Sequence, residues 1–217
     1  PILVPACALP DDTNVLTPNT RKYIGIRGNN IQTDKTLRIW DKGTPDEIST
    51  YVVYSSDITV PAYTDLVIEP GVTVKFASSV DVNVDGALIA EGTLEEKIVF
   101  TSFQDDTHAG DTNNDGSDSR PLNGDWRGIT FNDSFFEGDT HLNHVQVLYG
   151  GANGSGALYI NNADILVENS EVANSSSSGI RVNNAAPTLT GNNIWGNSQD
   201  GIYLDNTSNV EITFSSI

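Results

Sequence analysis

The chain has 217 residues, of which 37% are hydrophobic, and its 11 basic and 29 acidic side chains give a formal net charge of −18. Nucleic acids and anionic membrane surfaces both attract lysine and arginine, so this charge argues against either partner. No apolar stretch approaches the roughly 18 residues that a membrane-spanning helix needs, and the single cysteine, Cys7, excludes an intramolecular disulfide framework.

Residues 1–50 do not follow the pattern of the rest of the chain. They contain an Asn29-Asn30 turn and one mixed run, Thr36–Trp40. A stack of parallel strands, which the later repeats predict, exposes an unpaired edge at its end, and solenoids protect such edges with a cap. We therefore predict an N-terminal cap and approach segment over residues 1–50, with regular coils over residues 51–217.

Short apolar strands separated by turns follow residue 50. Ile58–Val60 and Val72–Phe76 alternate apolar and polar residues, Leu66–Ile68 is a short apolar run, and Pro70-Gly71 marks a turn between the last two strands in the chain. Apolar residues elsewhere alternate or cluster in fours and fives, and none of these runs has the period of a helix. The sequence therefore predicts an all-β fold.

An acidic, glycine-containing insertion over residues 103–125 interrupts these strands. The segment from Asp111 to Gly116, DTNNDG, matches the first half of the Asp-x-Asx-x-Asx-Gly calcium loop. Calcium prefers six to eight oxygen ligands, and alternate Asx side chains converge on one point. The twelfth position is Leu122 instead of glutamate and no helix follows, so an EF-hand is not predicted. The alternatives are a surface turn that binds no ion, or a structural Ca²⁺ ion bound by Asp111, Asn113, Asp115, Ser117 and Asp118.

A 22-residue echo occupies the last third of the chain. Leu158–Asn162 returns as Ile180–Asn184 and again as Ile202–Asn206. Each copy is a short strand followed by an Asx pair, and a fixed period in the low twenties indicates one stacked supersecondary unit. Asparagine suits the turn because it tolerates the left-handed conformation and can bond its stacked neighbours. We therefore predict a parallel β-helix with coils of about 22 residues.

Four strings along the chain carry a family resemblance. DITVPAYTDLVIEPGVTVKF, GALIAEGTLEEKIVFTS, GDTNNDG and GDWRGITF, in this order from residue 57 to residue 131, resemble bacterial secreted proteins of the pectin-lyase-like superfamily. The resemblance implies a right-handed parallel β-helix in an extracellular or cell-surface protein. It does not imply a particular activity, because one fold hosts many functions.

An outward-facing column is the second candidate site. Tyr159, Arg181 and Tyr203 occupy the middle of the three echoed strands, so stacking would place Arg181 between two tyrosine rings about 4.8 Å away on either side. Such a strip could bind a sugar, or it could simply stabilise an exposed sheet. We assign no catalytic residue, because the carboxylates of the coils form no recognisable pair and an arginine is a poor base.

These observations lead to one leading functional expectation and two alternatives. We expect a non-catalytic extracellular or cell-surface module for adhesion, glycan binding or assembly, stabilised by calcium, with a polysaccharide or surface glycan as its partner. A polysaccharide lyase or glycoside hydrolase domain is the first alternative. A filament subunit that stacks end to end is the second, because the sequence ends at Ile217 within a coil, and we expect either a continuing chain or a stacked copy there.

Overall fold

The computed structural model describes residues 2–11, 22–132, 140–213 and 215–217. Part of the predicted N-terminal cap, residues 12–21, therefore lies outside the described residues. Within the described ranges the fold is all-β, and the only helix is one 3-10 turn, Ala6–Ala8. No helix in these ranges is long and apolar enough to cross a membrane.

Twenty-two short strands make up the described fold. In chain order they are β1 (Ile2–Val4), β2 (Ile24–Ile26), β3 (Asn29–Asn30), β4 (Lys35–Leu37), β5 (Thr50–Val53), β6 (Ile58–Val60), β7 (Asp65–Ile68), β8 (Thr73–Phe76), β9 (Asp81–Val84), β10 (Ala87–Glu91), β11 (Ile98–Ser102), β12 (Gly128–Asn132), β13 (His141–Asn143), β14 (Val145–Leu148), β15 (Leu158–Asn161), β16 (Leu166–Glu168), β17 (Glu171–Ala173), β18 (Ile180–Asn183), β19 (Thr188–Thr190), β20 (Asn193–Trp195), β21 (Ile202–Leu204) and β22 (Glu211–Thr213).

The strands form three parallel sheets, and each sheet takes one strand from each coil, except that the first coil contributes only β1 within the described residues. Sheet 1 has the order β1-β2-β5-β8-β11-β14-β17-β20. Sheet 2 runs β3-β6-β9-β12-β15-β18-β21, and sheet 3 runs β4-β7-β10-β13-β16-β19-β22. Every strand therefore pairs with its equivalent one coil away, which is the topology of a β-solenoid and confirms the predicted fold class.

The coils are longer than the predicted 22 residues. Stacked Asn161 and Asn183 are 22 residues apart, but stacked Gln146 and Glu171 are 25 apart. The average coil has about 25 residues. The sequence echo revealed only the coils whose turns have equal lengths. Longer turns elsewhere hide the repeat without changing how the strands pair.

The described part of residues 1–50 also differs from the prediction. β2, β3 and β4 pair with β5, β6 and β7, so the described residues after residue 22 already form a coil in register with the rest. A cap distinct from the coils is not seen in the described residues before Tyr51. The sequence did not indicate these strands because they are only two or three residues long and β3 consists of two asparagines.

Asparagine ladders link the coils at the turns that follow sheet 2. Asn162 and Asn184 have left-handed backbones, with φ of 55° and 50°. The Asn184 amide donates to Asn162 Oδ1 at 2.7 Å, and the Asn183 amide donates to Asn161 Oδ1 at the same distance. Both the turn conformation and the amide ladder agree with the structural role that the sequence predicted for these residues.

The core is a narrow column of apolar side chains that point inward from all three sheets. Its largest member is Trp126, which is fully buried and stacks on Phe76 with ring centroids 4.1 Å apart and planes 8° from parallel. The Trp126 indole Nε1 donates to the carbonyl of Leu148 at 2.7 Å. Trp126 therefore fixes the end of the insertion to the core.

Replacing Trp126 with alanine should lower the free energy of unfolding by about 3–5 kcal/mol, because it removes a buried aromatic stack and leaves the Leu148 carbonyl without its donor. Urea denaturation followed by circular dichroism measures the change. Trp195→Ala is the matched control, because Trp195 is 49% exposed, and it should cost less than about 1 kcal/mol. Equal effects of the two substitutions would contradict this account of the core.

Candidate binding surface and metal site

The predicted Tyr-Arg strip is present on the outer face of sheet 2. Thr130, Tyr159, Arg181 and Tyr203 are direct partners on consecutive strands. The Arg181 guanidinium carbon lies 5.9 Å from the centroid of the Tyr159 ring and 5.0 Å from that of Tyr203, both within cation–π range. We call Tyr159, Arg181 and Tyr203 the aromatic strip.

A row of amides runs beside the aromatic strip, two residues further along each strand. Asn161 and Asn183 belong to this row and are joined by the amide hydrogen bond of the ladder. The surface thus places aromatic rings, a guanidinium with several donors and amide groups side by side on one sheet face. This combination can contact both the apolar face and the hydroxyl groups of a sugar.

The insertion after β11 is tied to sheet 1 by a buried lysine. Lys75 is the outward residue between Val74 and Phe76, yet it is fully buried, because the insertion folds over it. Its ammonium donates to the carbonyls of Asp105 and Gly110, at 2.7 Å each. Burial lowers the pKa of Lys75, and the carboxylates of Asp105, Asp106 and Asp111 oppose that shift.

The Asp105 carboxylate anchors the start of the insertion. Asp105 is fully buried and accepts hydrogen bonds from the Thr101 hydroxyl, from Thr107 and from the His108 ring. Burial alone would raise its pKa, but hydrogen bonds from His108, Thr107 and Thr101 outweigh burial and hold the pKa well below the ordinary value. Asp105 is therefore a charged structural group.

Three carboxylates of the insertion converge on one point. Asp106, Asp111 and Asp115 each place an oxygen within 4.8 Å of the others. Asp106 Oδ1 and Asp115 Oδ1 are shielded from solvent and accept no hydrogen bond, and the buried hydroxyl of Thr112 has no partner either. Buried acceptors of this kind normally find a donor or a cation. We call Asp106, Asp111 and Asp115 the carboxylate cluster.

The carboxylate cluster contains two of the five predicted metal ligands. Asp111 and Asp115 belong to it, whereas Asn113 donates through its amide to Asp115 and Ser119. Ser117 lies on a neighbouring cleft, and the exposed Asp118 is not in the cluster. Asp106 is the member that the sequence analysis did not find, because it lies outside the DTNNDG motif and only the folding of the loop brings it near.

Protonation of the carboxylate cluster is set by burial and by the backbone. Burial, followed by the neighbouring Asp111 charge, raises the pKa of Asp106. The backbone N–H of Gly116, followed by those of Asn114 and Asp115, lowers the pKa of Asp111. The Asp111 carboxylate is thus held ionised by the turn that follows it, whereas the charged form of Asp106 is disfavoured.

A second acidic group lies on the outer face of sheet 2, closer to its N-terminal end than the aromatic strip. Asp57 precedes β6 and Asp81 begins β9, so the pairing of these strands brings the two residues together. The guanidinium of Arg127, just before β12, lies 3.8 Å from the Asp57 carboxylate and 3.9 Å from the Asp81 carboxylate. Burial, reinforced by the Asp57 carboxylate, raises the pKa of Asp81 to about 6. We call these residues the Asp-Arg group. The sequence analysis missed it, although the 24-residue spacing of the two aspartates was a usable signal.

Comparisons with known proteins agree with this architecture. Residues 122–217 match the family model described as the right-handed β-helix region. Together with the solenoid topology, this match confirms a right-handed β-helix repeat protein, consistent with the predicted resemblance to the pectin-lyase-like superfamily. No curated protein and no solved structure matches the chain.

Replacing Asp81 with asparagine should stabilise the protein near neutral pH. Folding raises the pKa of this carboxyl to about 6 from 3.8. The protonated Asp81 carboxyl therefore contributes its whole share of the stability below about pH 4, where it is protonated in both the folded and the unfolded state. This contribution is lost as the pH rises through about 6, because the folded protein must then bury a charged carboxylate. The free energy of unfolding of Asp81→Asn at pH 7.5 should exceed that of the wild type by at most about 3 kcal/mol. Thermal denaturation of the two proteins should accordingly give a higher melting temperature for Asp81→Asn.

The same comparison near pH 4 should give a much smaller difference, because the asparagine then replaces a neutral carboxyl group. Asp200→Asn is the control, because Asp200 is exposed, and its effect should vary little between the two pH values. A stabilisation by Asp81→Asn that does not depend on pH would contradict the assigned cause.

Proposed function

We propose that this protein is a non-catalytic β-helix module that binds glycans in the extracellular space or on the cell surface. The aromatic strip is the observation that supports it, because two tyrosine rings and a guanidinium lie in register on the outer face of sheet 2. Tyr203 is 42% exposed and is therefore accessible. The fold supplies a rigid sheet on which an extended polysaccharide could lie along the stacked strands.

Calcium is proposed as a structural ion in the carboxylate cluster. Three convergent carboxylates with two unpartnered buried oxygens fit a hard cation that prefers oxygen ligands. Binding would order the insertion and offset the repulsion among Asp106, Asp111 and Asp115. The −18 net charge and the expected extracellular location, where calcium is plentiful, are consistent with this role.

A polysaccharide lyase or hydrolase remains the second candidate, and the Asp-Arg group favours it. Asp57 and Asp81 are adjacent carboxyls, and the raised pKa of Asp81 favours its protonated form, which can donate a proton. A protonated Asp81 could serve as the acid in the cleavage of a sugar chain. The aromatic strip would then hold the substrate along the same sheet.

Removing the guanidinium of the aromatic strip should weaken polysaccharide binding. We expect Arg181→Ala and Tyr203→Ala each to weaken retention in affinity electrophoresis about 10-fold, which corresponds to about 1.4 kcal/mol, against whichever polysaccharide in a neutral and acidic panel retains the wild type. Arg27→Ala removes the same charge from an exposed position on the second coil and is the matched control.

Unchanged retention of Arg181→Ala would exclude the strip as the binding surface. Chromatography of the same incubations tests for cleavage. Shortened or unsaturated products that disappear in Asp81→Asn would replace the binding proposal by the enzymatic one.

Calcium should raise the melting temperature, and EDTA should reverse the rise. At 100 times the dissociation constant the gain in stability is about 2.7 kcal/mol. Asp111→Asn and Asp115→Asn should lose most of the gain, whereas Asp118→Asn, which changes an exposed neighbour outside the cluster, should keep it. A calcium response that survives in the first two variants would place the ion elsewhere.

A further inference from the structure

A cleft of about 430 Å³ separates the insertion from the coil wall. Tyr149 of the coil forms one side, and Asp106, Thr107, Ser117, Ser119 and Arg120 of the insertion form the other. The volume is at the lower end of the range for small-molecule sites. The insertion thus does more than cover sheet 1, because it builds a concave site that the regular coils lack.

The backbone of Tyr149 is the unusual feature of this cleft. Tyr149 directly follows β14 and has φ of 63°. Its stacked equivalents on the next two coils are Asn174 and Gly196, with φ of 57° and 66°. Asparagine and glycine adopt this conformation readily, whereas a bulky aromatic residue does so only at a cost in free energy. Strained positions of this kind concentrate at ligand sites.

The polar lining of the cleft selects a class of ligand. Arg120 is the one basic side chain among the described residues that line the cleft, and the carboxylate cluster adjoins the cleft through Asp106, so the lining matches a neutral ligand better than an anion. The Ser117 hydroxyl can donate and accept, whereas the Thr107 and Ser119 hydroxyls donate to Asp105 and Asp115 and can still accept from a ligand. An aromatic ring facing these groups suits a molecule with one apolar face and many hydroxyls.

We infer that this cleft binds a single residue of a neutral saccharide, with the sugar ring against Tyr149 and its hydroxyls bonded to Arg120 and to the serine and threonine hydroxyls. The inference rests on the proposed glycan-binding function and refines it. Tyr149 follows sheet 1, whereas the aromatic strip lies on sheet 2, so the two sites are separate. One recognises an extended chain, and the other recognises one sugar unit.

Saturation-transfer NMR tests the inference on the full chain in calcium-containing buffer. The probes are methyl glycosides of glucose, galactose, mannose and N-acetylglucosamine. At least one should receive saturation from the wild type. Tyr149→Asn, which gives this position the residue of the next coil, and Arg120→Ala, which truncates an exposed side chain, should each weaken its affinity at least 10-fold. Arg27→Ala should leave the affinity unchanged.

Thermal unfolding of the same samples separates binding from folding. Arg120→Ala should keep the wild-type melting temperature, so its loss of affinity cannot be attributed to unfolding. The absence of a signal from all four glycosides, or an unchanged affinity in Arg120→Ala, would overturn the inference. A lower melting temperature for Tyr149→Asn combined with no glycoside signal in the wild type would assign Tyr149 to packing and would also overturn it.

Polysaccharide retention distinguishes the failure of this inference from the failure of the proposed function. If the wild type binds a polysaccharide through Arg181 but none of the glycosides, only the cleft is excluded. If neither assay detects binding, the glycan-binding function itself fails.

Discussion

Main-chain hydrogen bonding between parallel coils is the constraint on which the rest of the structure depends. Each strand pairs only with its equivalent in the coils above and below, so each side chain lies over the side chain at the same position of the next coil. The register turns a repeated residue into a continuous column. The asparagine ladder and the alternation of Tyr159, Arg181 and Tyr203 are both columns of this kind.

The insertion departs from this repetition and therefore needs its own anchors. A segment of this length without regular secondary structure is expensive to order. Lys75 holds its first half by bonds to two carbonyls, and Trp126 fixes its end by stacking in the core. The anchors leave the stretch between them free to carry polar groups, and both the carboxylate cluster and the cleft are built there.

Features that repeat locally could be predicted from the sequence, whereas features that depend on how distant segments pack together could not. Equal turn lengths made the last coils and the aromatic strip predictable, and a contiguous motif gave Asp111 and Asp115. Asp106 was missed because a folded loop, and not sequence spacing, brings it to the cluster. Lys75 reads as an ordinary outward residue until an insertion 30 residues later covers it. Turns of unequal length concealed the coils near the N-terminus.

The position of the insertion has a consequence for how such a protein can change. It leaves the solenoid at Ser102, at the end of β11, and returns at Gly128, the first residue of β12. The strands on either side keep the pairing that they would have with a short turn. A different loop could therefore be grafted between these two residues without altering the scaffold, provided that an aromatic residue at position 126 still enters the core and a partner for the Lys75 ammonium is retained. The insertion can thus vary in sequence while the strand pairing of the coils is kept.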